Sequence, residues 1–245
     1  KGREGGSLST LHPVDLYAHI LRALTRRTAI DPAMIDDVIS GCVIQVGEQA
    51  ANIARQAVHA AGWPDHMPGV TLDRKCGSAQ QAMDFAAQGV IAGAYDLVVA
   101  GGVEMMSRTP MKSNRQGRDN LGPMHHERYP DGLVGQGISA ELIAAQWSLS
   151  RPDQDRFALR SHQRAAAAED RGDTGRDIVA LAVPGPDGTV SQVDRDEGVR
   201  RDTSLDKLGG LAPAFEKPEL LQRFPDIRWS VTAGNSSQVT DGAAA

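Results

Sequence analysis

Of the two cysteines in this 245-residue chain, one is placed to do chemistry. Cys76 lies in the run Asp73-Arg74-Lys75-Cys76-Gly77-Ser78. A short apolar segment (68–72) that predicts a strand precedes it. A segment rich in small residues that predicts a helix over 78–94 follows. At a strand-to-helix turn, unpaired backbone N–H groups converge, and with the helix dipole they favour a thiolate. A thiolate attacks carbonyl carbon, so the placement points to acyl transfer through a thioester on Cys76. The plainer alternative is a buried structural cysteine, the commonest fate of a free thiol. The turn itself, the flanking Arg74 and Lys75, and the Gly77-Ser78 pair favour the nucleophile. Cys42 lies within the apolar, β-branched run 38–46 (VISGCVIQV) and is expected in the core.

Other residues carry weaker signals. Gly101-Gly102 closes an apolar run at 96–100. The pair reads as a tight turn, as a backbone approaching a ligand at a strand's carboxyl end, or as both. Asn235-Ser236-Ser237 reads as a helix cap or as the wall of a substrate channel, with Ser237 offering a hydroxyl. Arg200-Arg201 could reach phosphates, although spacing alone favours a solvated charged loop. His125-His126 has no acidic or cysteine ligand at metal-site spacing, so a loop pair is expected and no metal site. Met105, Met106, Met111 and Met124 could line an adaptable apolar pocket, or serve ordinary packing.

The elements that must position these residues alternate. Apolar positions at three- and four-residue spacing predict a helix over 13–28. A strand follows at 38–46, a helix at 52–62 ended by Gly62, a strand at 70–72, the helix after Cys76, and a strand at 96–100. Strands apolar on both faces, alternating with helices, predict an α/β fold with a mostly parallel sheet covered on both sides. The helix after Cys76 is apolar around most of its circumference and is expected between layers. The pattern then changes. Residues 108–135 are rich in Gly, Pro, Met, Asn, Arg and His. Helices follow at 137–147 and 152–171, the second announced by Ser150-Arg151-Pro152-Asp153. Short strand-like pieces stand at 178–183 and 189–193. These patterns predict an N-terminal α/β domain over 1–106, an inserted loop domain over 107–230, and a return to the α/β domain over 231–245, cut short.

Composition narrows the function. The chain is 40% hydrophobic and 23% charged, an ordinary globular balance. No apolar run approaches the roughly 20 residues of a membrane span. The polar opening (residues 1–6) carries no secretory signal, and its first residue, Lys1, predicts a sequence that starts partway into its gene product. Two cysteines make no disulfide framework, so a reducing, cytoplasmic setting is expected. A net charge of −5 argues against nucleic-acid binding, and a polyanionic ligand would need a local arginine cluster.

Taken in order, the motifs resemble those of the thiolase family. The matching segments are the Cys76 run with Gln81-Ala82, residues 96–107 (DLVVAGGVEMMS), 211–215 (LAPAF), 231–237 (VTAGNSS) and 241–245 (DGAAA), with 52–57 (NIARQA) before the nucleophile strand. The resemblance covers nearly the whole chain. It implies a layered α/β/α half with an inserted loop domain, one of two similar halves that pack in five layers. It implies an acyltransferase in fatty-acid and lipid degradation. The activity would be thiolytic cleavage of 3-oxoacyl-CoA, or the reverse Claisen condensation of acetyl-CoA, through an acyl-cysteine. Cys76 matches the acyl-accepting nucleophile, and its N–H would join an oxyanion hole. Ser237 matches a residue lining the pantetheine channel, and Arg200 a basic residue near the nucleotide end of coenzyme A. Coenzyme A would be a co-substrate, with no covalently bound cofactor. The partners implied are acyl-CoA, CoA and further copies in a homodimer or homotetramer.

The departures are informative. In the family the second half supplies an activating histidine and a second cysteine, whereas this chain has no His after His162 and no Cys after Cys76. The family's first strand would lie before Lys1. Ala79 replaces a common glycine, and residues 134–137 (VGQG) lack a common histidine. The resemblance therefore implies a portion of a longer enzyme, incomplete for catalysis alone. A related cysteine-dependent condensing synthase and a non-catalytic acyl-CoA-binding subunit are the alternatives.

Overall fold

The computed structural model describes residues 1–185 and 188–245. They divide into two compact units. The first holds residues 1–118, 177–198 and 239–245, and the second holds 119–176 and 199–238.

The first unit is an α/β layer built on a mixed five-stranded sheet. Its elements are β1 (Gly2–Arg3), α1 (Pro13–Thr28), β2 (Asp37–Gly41), α2 (Ile53–Ala60), β3 (Val70–Leu72), α3 (Ser78–Ile91) and β4 (Val98–Met105). The hairpin β5 (Leu181–Pro184) and β6 (Val190–Val193) and the strand β7 (Thr240–Ala244) complete it. The sheet order is β1-β7-β4-β2-β3. β2 runs parallel to both β3 and β4, and β7 runs antiparallel to β4 and β1.

Alternation along the strands sorts the core to two faces. Val38, Val99, Val103 and Met105 pack with Leu16, Tyr17 and Leu21 of α1 and Ile53, Ala57 and Val58 of α2. Ile39, on the opposite face, packs with Ala82 and Ala86 of α3. α1 starts where expected. His12 caps it through Nδ1, which accepts the Val14 N–H at 3.3 Å, and Pro13 fills the first helical position. The fully buried Tyr17 hydroxyl meets Ser40 Oγ of β2 at 2.7 Å, and burial pushes its pKa up to about 12.

Four expectations meet a different outcome. The strand expected at 96–100 runs on to Met105, and Gly101-Gly102 makes no turn. Both glycines sit in the ladder, opposite Ser40 and Gly41, because close backbone neighbours leave no room for a side chain. The strand expected at 38–46 ends at Gly41. Beyond it, the Glu104 carboxylate draws the Val43 N–H (2.7 Å) and Ile44 N–H (3.3 Å) away from any ladder. The helix after Cys76 buries only one face. Met83 is 62% and Ile91 86% exposed, and Phe85 and Val90 are also exposed. Nothing among the described residues covers that side. Finally, residues 177–198, expected in the insertion, group with the first unit. Leu181, Val183 and Val193 join its core, and Glu197 accepts the N–H groups of Arg3 (3.0 Å) and Ser7 (3.1 Å).

The second unit is helical and loop-rich, with α4 (Pro123–Arg128), α5 (Gln136–Gln146), α6 (Arg151–Asp170) and α7 (Leu205–Gly209). Ser150 and Asp153 form the capping box that opens α6. No helix among the described residues is long and apolar enough to cross a membrane.

Candidate active site

The turn that carries Cys76 is held by short polar side chains. The Asp73 carboxylate accepts the Lys75 N–H at 2.7 Å and also pairs with the Lys75 ammonium. Buried Ser78 accepts the Arg74 N–H at 2.8 Å and donates to the Lys75 carbonyl at 2.6 Å. These bonds hold Lys75 in the left-handed region at φ 51°, a costly conformation for a non-glycine residue. The reversal leaves Cys76 exposed, two residues ahead of α3. The Ala79 and Gln80 N–H groups, in the first turn of α3, have no acceptor within the helix.

Gly41 sets how closely this turn meets the sheet. A Cβ there would lie 2.5 Å from the Ala79 nitrogen and 2.7 Å from the Ser78 Cβ. Only glycine lets the first turn of α3 rest directly on β2. Cys42 is the inverse of Cys76. It is 1% exposed, and burial first, then the nearby Glu104 carboxylate, pushes its thiol up to about 12. A thiol so held is protonated and inert at neutral pH.

Arg200 and Ser237 both lie in the second unit. Ser237 is exposed, at the end of a turn fixed by two buried carboxylates. Glu141 of α5 accepts the N–H groups of Ser230 (2.9 Å) and Val231 (2.7 Å) and the Ser230 hydroxyl (3.0 Å). Asp155 of α6 accepts from the Asn235 amide at 3.0 Å, and Asn235 in turn accepts the Thr232 N–H at 2.8 Å. Asn235 thus braces the turn from within. Arg200 is exposed beside a cavity of about 320 Å³, lined also by His162, Gln163, Asp170 and Arg201. A larger cavity of about 950 Å³ in the same unit lies between α5 and residues 223–230 and contains none of the predicted residues.

The weaker candidates separate. His126 meets Asp119 at 2.9 Å, and the Leu121 N–H, then His126, hold the Asp119 carboxyl below its usual value. No group of three metal-ligating side chains exists among the described residues. Met105 is in the core of the first unit, whereas Met111 and Met124 are exposed and line neither cavity. Sequence reasoning passed over Gly41, Glu104, Glu141, Asp155 and His162. A charged residue in an apolar strand was the available signal for Glu104. The others carried none, because their partners are far off in sequence.

Compared with known proteins, all 245 residues match the family model for the thiolase N-terminal domain. The chain belongs to the thiolase family. It is 42% identical over 252 residues to a steroid 3-ketoacyl-CoA thiolase of Mycobacterium tuberculosis, with 100% of this chain and 58% of that protein aligned. It is 39% identical to a 3-ketoacyl-CoA thiolase of Erwinia tasmaniensis, over 99% of this chain and 59% of that one. It is 38% identical to a 3-oxoadipyl-CoA/3-oxo-5,6-dehydrosuberyl-CoA thiolase of Escherichia coli, over 100% of this chain and 62% of that one. The thiolase chain described here therefore spans about three-fifths of the length of these relatives.

Proposed function

We propose that this chain supplies the nucleophile of a longer, CoA-dependent thiolase that cleaves 3-oxoacyl-CoA. The observation that carries the reading is the exposed Cys76 sulfur at the start of α3, in a chain matched end to end by the family. In the cleavage direction the Cys76 thiolate attacks the keto carbon. The bond between that carbon and the α-carbon breaks, and the electron pair leaves with the α-carbon, which takes a proton to give acetyl-CoA. The acyl group stays on Sγ as a thioester until the thiol of a second CoA displaces it and restores the thiolate. The Cys76 N–H would join the oxyanion hole at each attack.

By the family resemblance the proton transfers need a His and a Cys from the second half, and in this chain no His follows His162 and no Cys follows Cys76. We assign them to the remainder of the enzyme, which would also cover the apolar side chains that α3 leaves exposed, Met83, Phe85, Val90 and Ile91. Ser237 would line the pantetheine channel and Arg200 would meet the nucleotide end of CoA. A cytoplasmic homodimer or homotetramer completes the proposal.

The test is to incubate the full-length enzyme with a 3-oxoacyl-CoA and quench before the second CoA is added. Mass spectrometry should find the acyl group on Cys76. An adduct elsewhere, or none alongside measurable turnover, would sink the assignment.

A further inference from the structure

The backbone of Arg200 is tied to one titratable ring. Its N–H donates to Nδ1 of His162, on α6, at 3.1 Å. Nδ1 accepts only while it carries no proton, so the bond requires the neutral ring protonated at Nε2. The adjacent Arg201 anchors the same segment to the same helix, with 2.7 Å to Glu169 and 2.8 Å to Asp170. His162 and Arg200 both line the cavity of about 320 Å³.

We propose that His162 is a positioning residue for coenzyme A: its neutral ring holds the Arg200 segment in the binding geometry, and protonating the ring releases it. This rests on the reading that Arg200 meets the nucleotide end of CoA. Among the described residues, the following groups surround the ring. On α6 the neighbours at three and four residues, Ala158, Leu159, Ala165 and Ala166, carry no charge, and Asp170 lies further along the cavity. The facing segment brings Arg200 and Arg201. α7, packed on α6, brings Asp206 and Lys207, the latter paired with Asp202 at 2.8 Å. A ring protonated at Nδ1 would lose its bond to the Arg200 N–H. The segment stays attached through Arg201, so protonation changes placement without unfolding the unit.

The test measures CoA affinity of the full-length enzyme by calorimetry from pH 8 to pH 5.5. Wild type is compared with His162→Asn, whose side-chain oxygen can accept the same N–H but does not titrate. CoA's own phosphate titrates alike in every arm, so the readout is the ratio of variant to wild type. At pH 8 the two should bind CoA within about twofold of each other. At pH 5.5 the variant should bind about three- to tenfold more tightly, the worth of one hydrogen bond. His162→Ala should bind at all pH values like the acid form of wild type, with kcat little changed. Parallel pH profiles for wild type and His162→Asn would overturn the proposal. If the variants do not fold, the wild-type Arg200 amide resonance serves instead. It should titrate with the His162 ring, and an amide shift that ignores the ring overturns the proposal. Arg200→Ala separates the two layers. Weakened CoA binding there together with parallel His162 profiles removes the latch alone. Unchanged binding in Arg200→Ala removes the arginine assignment and the latch with it.

Discussion

Cys42 and Cys76 follow neighbouring parallel strands, yet they end in opposite environments. Cys42 is one residue past β2, and its N–H donates to Leu72 of β3 at 3.0 Å. Cys76 is four residues past β3. After β2, Glu104 collects the N–H groups of Val43 and Ile44, and the thiol beside them is sealed in the core. After β3, Asp73 and Ser78 collect the turn's own groups, Lys75 reverses the chain, and the thiol faces solvent. Two strand ends in one sheet thus give an inert thiol and an accessible one. The polar side chain that takes up the first free N–H groups decides which.

The sharpest way to break this contrast is to remove each sulfur. Cys76→Ser should lower kcat/KM of the complete enzyme by about 10³-fold or more, with the thermal midpoint hardly moved. Cys42→Ser should leave most of the activity and lower stability instead. Steady-state kinetics and thermal melts on both variants read this directly.

Gly41→Val would push a branched side chain into the backbone of Ala79. It should destabilise the fold by about 3 kcal/mol or more, and denaturant unfolding measures it. Residual activity should fall further than the folded fraction, because the Cys76 turn shifts too.

Cys42 also predicts an alkaline weakness. Its folded pKa of about 12 lies above the ordinary 9.0, so the stabilising effect of the protonated thiol is complete below pH 9 and is lost as pH rises towards 12. The loss reaches about 1.4 kcal/mol per pH unit at most, and Cys42→Ala should flatten it. Denaturant melts between pH 8 and 11 compare the two, and equal slopes would contradict the burial argument.

The smallest expected effect belongs to Glu104→Gln. One acceptor oxygen becomes an amide facing a backbone N–H, and about 1–2 kcal/mol of stability should go. Thiol alkylation by iodoacetamide at neutral pH should still modify Cys76 well before Cys42. Equal rates in the variant would show that Glu104 is the main barrier protecting Cys42.

Much of the first unit was legible because its signals are local. The periodicity of α1, the strand and helix on either side of Cys76 and, in the second unit, the Ser150 capping box each involve residues within a few positions of one another. The Cys76 turn was legible for the same reason. What escaped depends on residues far apart. The two glycines at 101–102 look like a turn until Gly41 and Ala244 are known to flank them. The apolar circumference of α3 suggested burial on all sides, but periodicity reports which surface seeks cover and cannot report whether the cover is present. Glu141 and Asp155 look like ordinary helical carboxylates until residues 230–235 arrive beside them.

The position of β7 has a consequence for biogenesis. It pairs with β4, whose last residue lies 135 positions before β7 begins, and every residue of the second unit is synthesised in between. The nascent sheet must leave the ribosome with β4 as a bare edge, and such edges invite mispairing with other chains. Closing so long a loop is slow, so completion of the sheet should be the late, chaperone-sensitive event in maturation.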